Sequence, residues 1–418
     1  MEITIPNIRH LIAFCEVAQQ RRISLASERV HLSQPAITQA IAKLEEGQGA
    51  SLFDRRPEGM FLTEVGEIYF RRISRVVEHL RQGAQQALKR APRVPGVKGR
   101  RDFHKMVTPV QLQSLVAVSR ADSYSQAARD IGSTQPAVYR AARELENLAG
   151  VPFFEPVRRG VMLTPSADAF VHHVRLAAAE LRQSQYEISA FQGQDSTRIS
   201  IGSLPLSRTA ILPTAIDQLL ATSGTGLQIR CVDGLYRSLF HDLRFGEIDF
   251  LIGALRFPAP SGDVVQETLF HDRLSIVGRK GHPLEGQGNL SLHDTLAYPW
   301  IAPPKDTPAG SYLFENLRIQ EMTETPVRIV SSSLVLVRGL MLRGDYVTIM
   351  SDNQFELERK QGLLARLPIP LRDNNRPIGL TYRAGWQPTP TQSRFMNLIR
   401  AYCRDEYSPS DARMSAHL

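Results

Sequence analysis

The chain has 418 residues, 42% apolar and 22% charged, which leaves room for two to four domains with full cores and excludes disordered or fibrous architectures. Fifty Lys and Arg against 42 Asp and Glu give a net charge of +8, which points to an anionic partner without naming one. No apolar run reaches the roughly 18–20 residues needed to span a bilayer, and Met1-Glu2-Ile3-Thr4-Ile5-Pro6 lacks the basic start and apolar core of a secretory leader.

In chain order, Ile8, Leu11, Cys15 and Ala18 give the apolar stripe of a first helix. Ser24 is expected to cap a short second helix through Ala26 and Val30. Ser33 is expected to cap a third, with Pro35 in its first turn, where a missing N–H costs nothing. That third helix is apolar along Ile37, Ile41 and Leu44 and polar along Gln34, Thr38, Gln39 and Lys43. Long polar donors and acceptors on one face of a short helix pair with base edges in a major groove. Leu52 and Phe53 close the core, and Arg55-Arg56-Pro57-Glu58-Gly59 make a basic tip before a strand ending at Thr63. The pattern is a winged helix-turn-helix. Residues 64–89 then form a long helix, with Val65, Ile68, Ile73, Val76, Val77 and Leu80 set among arginines.

Sliding the sequence on itself by 101 residues aligns 7–70 with 108–171 without a gap, and fifteen of the 64 pairs are identical. The shared residues include Gln34-Pro35-Ala36 with Gln135-Pro136-Ala137, Leu44-Glu45 with Leu145-Glu146, and Leu62-Thr63 with Leu163-Thr164. One fold is therefore used twice. The segment between the copies, 90–105, is rich in Pro and Gly. With Lys89 it carries seven basic side chains against Asp102 alone, and so reads as a flexible linker or a basic arm following phosphates. The second copy, 106–195, has a long helix of its own over 166–192. An amphipathic helix must bury its stripe, so the two long helices pair either within one chain or between chains.

The runs from Ile23 to Thr38, Leu44-Glu45 through Leu52-Phe53-Asp54-Arg55-Arg56, and Leu62-Thr63-Glu64-Val65-Gly66 resemble the DNA-binding domain of LysR-type transcriptional regulators. The resemblance implies that the third helix reads DNA, placing Ser33, Gln34, Pro35, Thr38 and Gln39 at the bases with Arg55 at the wing, and the polar helix face and basic tip add Lys43 and Arg56 as candidates. In the second copy the corresponding candidates are Thr134, Gln135, Pro136, Tyr139, Arg140, Arg158 and Arg159. There Tyr139 replaces Thr38 and Pro156 replaces Arg55, so this domain either contacts DNA with altered specificity or serves as structure. A tandem pair departs from the family's usual single DNA-binding domain.

Beyond residue 196, strands at 198–202, 227–232 and 248–253 alternate with helices at Ile211–Leu220 and Leu235–Arg244, the signature of a parallel-sheet α/β domain. It resembles the family's two-lobed, periplasmic-binding-protein-like effector domain. Lobe one would cover about 197–269 and 366–405, and lobe two about 270–365. Hydroxyls at helix starts and flanking residues make Ser203, Leu204, Pro205, Asp233, Gly253, Thr307, Ser331 and Ser332 candidates for an effector, in the guise of a carboxylate or similarly polar molecule. Trp300 is expected to pack, and Cys231 to be a small core residue or a redox sensor.

Cys15, Cys231 and Cys403 form neither a disulfide framework nor a metal knot, and no cofactor is implied. No P-loop, Gly-x-Ser-x-Gly, His-Glu-x-x-His or dinucleotide fingerprint appears, which speaks against an enzyme. The expectation is a cytoplasmic, nucleoid-associated regulator: two all-α winged helix-turn-helix domains with linker helices (1–89 and 106–195), followed by an α/β effector domain (196–418). Its expected partners are double-stranded promoter DNA, a small-molecule effector, other copies of the chain in a dimer or tetramer, and RNA polymerase. The competing reading is a metabolite-handling or solute-binding α/β protein whose helical domains make protein contacts.

Overall fold

A computed structural model describes residues 5–92, 99–121, 123–158, 160–322 and 327–407. The chain divides into two compact units, one holding residues 1–198 with two short later segments and the other holding most of the remainder.

In the first unit the repeat is structural. The first copy runs α1 (Ile8–Gln20), α2 (Ile23–Val30), α3 (Gln34–Gln48), β1 (Phe53–Arg56), β2 (Gly59–Leu62) and α4 (Glu64–Arg90). The second runs α5 (Pro109–Val118), α6 (Tyr124–Asp130), α7 (Gln135–Ala149), β3 (Phe154–Val157), β4 (Gly160–Leu163) and α8 (Pro165–Phe191). Ser33 caps α3 through Ala36 N at 3.4 Å, with Pro35 in the first turn as expected. Ser24 does not cap α2. The helix begins two residues earlier than such a cap implies, at Ile23, with Arg22 at its cap position and no side-chain cap bond, so Ser24 already lies in the first turn.

Both copies lock their hairpins with the same two side chains. Glu45 Oε1 accepts from the backbone N–H groups of Leu52 and Phe53 at 2.8 and 3.3 Å, and Glu146 Oε1 does so for Phe153 and Phe154 at 2.8 and 3.0 Å. Thr63 caps α4 through Gly66 N and donates to the Ser51 carbonyl, while Thr164 caps α8 through Ala167 N and donates to the Pro152 carbonyl. Charged groups in such sites satisfy the otherwise orphaned N–H groups at an element's start.

The two long helices pair within the chain: α4 packs along α8, and one continuous core joins both copies. Their approach is close, because a Cβ on Gly83 of α4 would sit 2.7 Å from the His173 Cβ of α8. Arg72, only 1% exposed, lies inside this seam. Its guanidinium donates to Glu180 Oε2 at 2.9 Å, Gln183 Oε1 at 2.6 Å and Glu187 Oε2 at 3.3 Å. Arg71 and Arg75 reach the same two carboxylates from the rim, each at 2.8 Å.

His104 and His173 are buried in this unit, and burial holds both imidazoles below their ordinary value of 6.5. A histidine depressed in the folded state contributes stability that is complete above the unfolded value and is lost as pH falls through the folded one. The unfolding midpoint of this unit should therefore drop between pH 7 and about pH 5. His173→Gln should flatten that slope in pH-dependent denaturant titrations, and an unchanged slope would contradict the assignment.

The second unit is the expected α/β fold, with two antiparallel strands, β8 and β13, making the sheet mixed where the alternation of strands and helices pointed to a parallel one. Strand order is β10-β9-β11-β8-β13-β7-β5-β6, built from β5 (Arg198–Ser203), β6 (Gln228–Asp233), β7 (Phe250–Ala254), β8 (Val264–Arg279), β9 (Trp300–Ala302), β10 (Val327–Val330), β11 (Val347–Ser351) and β13 (Asn375–Arg383). β12 (Leu364–Arg366) pairs with β8 off this path. β5 and β7 run parallel, as do β11 with β9 and β9 with β10, whereas β13 and β8 are antiparallel to their neighbours. The sixteen-residue β8 serves both lobes, pairing β13 over Val264–Arg273 and β11 over Leu274–Val277. Helices α9 (Ile211–Leu220) and α10 (Tyr236–Arg244) belong to lobe one. α11 (Pro308–Ser311), α12 (Leu334–Met341) and α13 (Glu356–Lys360) belong to lobe two, and α14 (Pro390–Tyr407) packs on α9 and β8. Trp300 is fully buried in the lobe-two core, its indole N–H donating to Thr295 Oγ1 at 3.1 Å, so it packs and does not line a cleft.

Candidate functional site

The N-terminal turn of α3 is displayed to solvent. Ser33, Gln34, Pro35, Gln39 and Lys43 are exposed and Thr38 half-buried, while Ile37, Ala40, Ile41 and Leu44 face the core. Ile23, Ser27, Gln34, Pro35, Thr38, Gln39 and Ala42 line an open concavity between α2 and α3. Thr38 Oγ1 donates to the Gln34 carbonyl at 3.0 Å, which leaves its methyl and its acceptor lone pairs for other contacts. At the wing, Arg55 and Arg56 are both exposed. Arg56 pairs with Asp54 at 3.2 Å and lies 5.1 Å over the Phe61 ring, so part of its charge is already answered locally.

The wing is anchored to α1 at Gly59. A Cβ there would sit 2.4 Å from the Arg21 carbonyl, which accepts from Met60 N at 2.9 Å.

In the second copy Thr134 caps α7, and Thr134, Gln135, Pro136, Tyr139 and Arg140 are all exposed, as is Arg158 on the wing. Arg159 and the linker residues 93–98 lie outside the described residues. Tyr139 packs edge-on against Tyr124 at 5.3 Å, with the Arg143 guanidinium 5.2 Å over its ring. Ser125 Oγ donates to Gln135 Oε1 at 3.0 Å.

In the second unit the candidates separate. The Ser203 hydroxyl is buried and already engaged: it donates to Asp233 Oδ1 at 2.8 Å and accepts from Arg208 Nε at 3.0 Å, while Arg208 and Asp233 pair at 3.1 Å. Ser203 therefore positions a charge pair and offers no spare donor. Leu204 and Pro205 lead into a single 3-10 turn, not directly into α9. Gly253 is required by packing, since a Cβ there would stand 2.5 Å from the Leu204 Cβ. Thr307 caps α11 through Gly310 N at 3.1 Å. Ser333, not Ser331 or Ser332, caps α12, and no hydrogen bond or ion pair among the described residues joins Ser331 or Ser332 to Ser203 or Asp233.

Three residues near this cluster carry chemistry that sequence reasoning did not assign. Arg256, just past β7, stacks 4.7 Å over the Tyr236 ring and donates to the Asp306 carbonyl at 3.4 Å. Burial and then the nearby positive charge of Arg376 make the charge on Arg256 costly. Among the described residues no carboxylate lies within ion-pair distance of it. The Tyr236 hydroxyl beside it is buried with no hydrogen-bond partner among the described residues. Arg376, by contrast, is spent on buried Asp272, with Nε and a terminal nitrogen at 3.1 and 3.0 Å from Oδ2. The signal the sequence offers for Arg256 is an arginine two residues past the end of a buried strand.

Cys231, expected in the core, is exposed on β6. Although the residue is exposed, partial desolvation of its thiol and the neighbouring Asp233 push its pKa up, which disfavours the reactive thiolate a redox sensor needs.

A helix-turn-helix pair joined to a two-lobed α/β domain defines a ligand-responsive DNA-binding architecture. The model for bacterial regulatory helix-turn-helix proteins of the lysR family matches residues 8–67 and again 109–168, and the LysR substrate binding domain matches 192–404. The chain belongs to the LysR family of transcriptional regulators. It is 32% identical over 402 residues to the HTH-type transcriptional regulator GalR of Pseudomonas putida, covering 96% of this chain and 98% of that one. It is 31% identical over 290 residues to the HTH-type transcriptional regulator PcaQ of Agrobacterium fabrum, covering 69% of this chain and 93% of that one. Among solved structures, full-length LysG of Corynebacterium glutamicum with bound effector Arg shares the fold at a TM-score of 0.51 and 16% identity, over 72% of this chain and all of that one. The chain is thus a transcriptional regulator, not an enzyme, and no helix among its described residues is long and apolar enough to cross a membrane.

Proposed function

We propose that the chain binds promoter DNA in the cytoplasm through α3 and α7, and that a small carboxylate entering the cleft of the second unit controls that binding. The supporting observation at the DNA end is the pair of exposed, N-capped Gln-Pro turns, each presenting amide or basic side chains over a buried apolar face. Ser33, Gln34, Pro35, Thr38, Gln39 and Lys43 meet the first groove, with Arg55 and Arg56 on its flank. Thr134, Gln135, Pro136, Tyr139, Arg140 and Arg158 meet the second. At the ligand end the support is Arg256, a desolvated guanidinium with no carboxylate within ion-pair distance among the described residues, beside a Tyr236 phenol that has no hydrogen-bond partner among them. A carboxylate satisfies both groups, since a guanidinium fork binds it with two parallel hydrogen bonds. An effector favouring one lobe arrangement by about 1–3 kcal/mol shifts DNA affinity roughly 5- to 150-fold. RNA polymerase and other copies of the chain, in a dimer or tetramer, are the further partners of this reading.

The test is a salt-resolved affinity titration of the full chain on its selected duplex and on single-base variants. Gln34→Ala should relax preference at one base pair, a bidentate contact being worth about 1–3 kcal/mol of discrimination. Arg55→Ala should weaken all sequences alike and reduce the salt slope by about one. If Gln34→Ala lost affinity but kept its base preference, α3 would not be the reader.

A further inference from the structure

The two DNA-binding heads are yoked by a seam whose chemistry admits only one pairing. Residues 101 apart are equivalent across the repeat, so the contact of Arg72 with Glu180 has a counterpart in His79 with His173, whose rings lie 5.8 Å apart. The backbone arrangement is two-fold, but the side chains break the symmetry. Two copies of α4 paired in the same register would bury Arg72 against His79, Gln82 and Gln86, a cation with no carboxylate. Two copies of α8 would set His173 against Glu180 and Glu187, carboxylates with no guanidinium. Only α4 with α8 places a guanidinium between two carboxylates, the kind of buried polar match that fixes partner choice. Each chain therefore couples one α3 to one α7.

Those two helices do not present the same face. Gln34, Thr38 and Gln39 on α3 become Gln135, Tyr139 and Arg140 on α7. A glutamine amide matches the adenine N6/N7 edge, whereas an arginine fork matches guanine O6/N7. The Ser125 hydroxyl occupies the Gln135 carbonyl oxygen, leaving that amide to act as a donor. Tyr139 is 46% exposed yet held by Tyr124 and Arg143, so α7 offers a stiff aromatic surface where α3 offers a threonine methyl. Such a surface suits a thymine methyl. At the wing, Pro156 removes the cation that Arg55 supplies.

We propose that one chain reads a composite, asymmetric duplex site of two unlike half-sites, with α3 taking an adenine-bearing half (A) and α7 a half bearing guanine and thymine (B). This rests on the assignment of α3 and α7 as DNA readers.

The experiment selects a site with the full chain from a random-sequence duplex library, then compares A–B duplexes with A–A and B–B. The A–B duplex should bind at least tenfold tighter than either symmetric one. Gln34→Ala should change base preference only in A, and Tyr139→Thr combined with Arg140→Gln only in B, with unchanged thermal melting showing intact heads. Equal binding of A–A and A–B would overturn the proposal. So would an unaltered footprint and preference for the α7 variant, which would make α7 a scaffold or a protein contact. Specific recognition of A alone leaves the DNA-reading role of α3 standing, whereas no sequence preference in either half removes that role as well.

Discussion

Replacing Arg72 with alanine should lower the unfolding free energy of the first unit by about 3–5 kcal/mol, the usual cost of stranding a buried charge. Burial alone would depress the Arg72 pKa, but the hydrogen bonds it donates to Glu187 and Glu180 and the fields of both carboxylates outweigh it and leave the guanidinium more firmly protonated than normal. Without it, Glu180 and Glu187 remain almost fully buried, and Arg71 and Arg75 answer them only from the half-open rim. Arg72→Met should rescue only part of the loss, because it restores volume and not charge. The triple variant Arg72→Met, Glu180→Gln, Glu187→Gln should recover most of it, since replacing a whole buried ion network costs far less than breaking it. Denaturant midpoints of the full chain and its variants measure this. If Arg72→Ala cost less than about 1 kcal/mol, the seam would be held by its apolar contacts alone.

That seam marks the boundary of what the sequence makes legible. The repeat is visible because its 101-residue offset carries no gap, and the structure repeats even its polar details, Glu45 with Glu146 and Thr63 with Thr164. The long helices are visible from their apolar stripes, but a stripe says only that something covers it. Arg72 falls between Tyr69, Ile73 and Val76 on the buried face, where a charge is expected only if an opposite charge meets it. Its partners lie more than one hundred residues away, so local pattern cannot name them. The cleft is less legible still. Ser203 reads as a free hydroxyl until Arg208 and Asp233 are found against it, and Arg256 gains meaning only from the Tyr236 ring beneath it. Periodicity reports burial well, but it cannot report which polar groups have already found partners.

The same distinction separates two arginines of the second unit. Arg376→Gln should destabilise that unit by about 3–5 kcal/mol near neutral pH, while Arg256→Gln should change stability by no more than about 1 kcal/mol. Arg376 is the cation for Asp272, which is 1% exposed and also hydrogen-bonded by the Asn353 amide at 2.9 Å and by Ser351. Burial already raises the Asp272 pKa against the pull of Arg376, and removing Arg376 raises it further. A carboxyl whose folded pKa stands above its unfolded value is stabilising below the unfolded value and costs stability as pH rises through the folded one. The Arg376→Gln penalty should therefore shrink on acidification from pH 8 toward about pH 5 as Asp272 takes up a proton. Among the described residues no carboxylate lies within ion-pair distance of Arg256, whose guanidinium contacts the Tyr236 ring and the Asp306 carbonyl, so its removal strands none of them. Its variant should fold and still bind DNA, yet lose most of the shift in DNA affinity produced by a carboxylate effector. Melting curves across pH for both variants, set beside DNA titrations with and without small carboxylates, separate the two roles. A stable Arg376→Gln chain with no pH-dependent penalty would mean that Asp272 is held without its arginine. An Arg256→Gln chain that kept its full ligand response would place the anion elsewhere in the cleft.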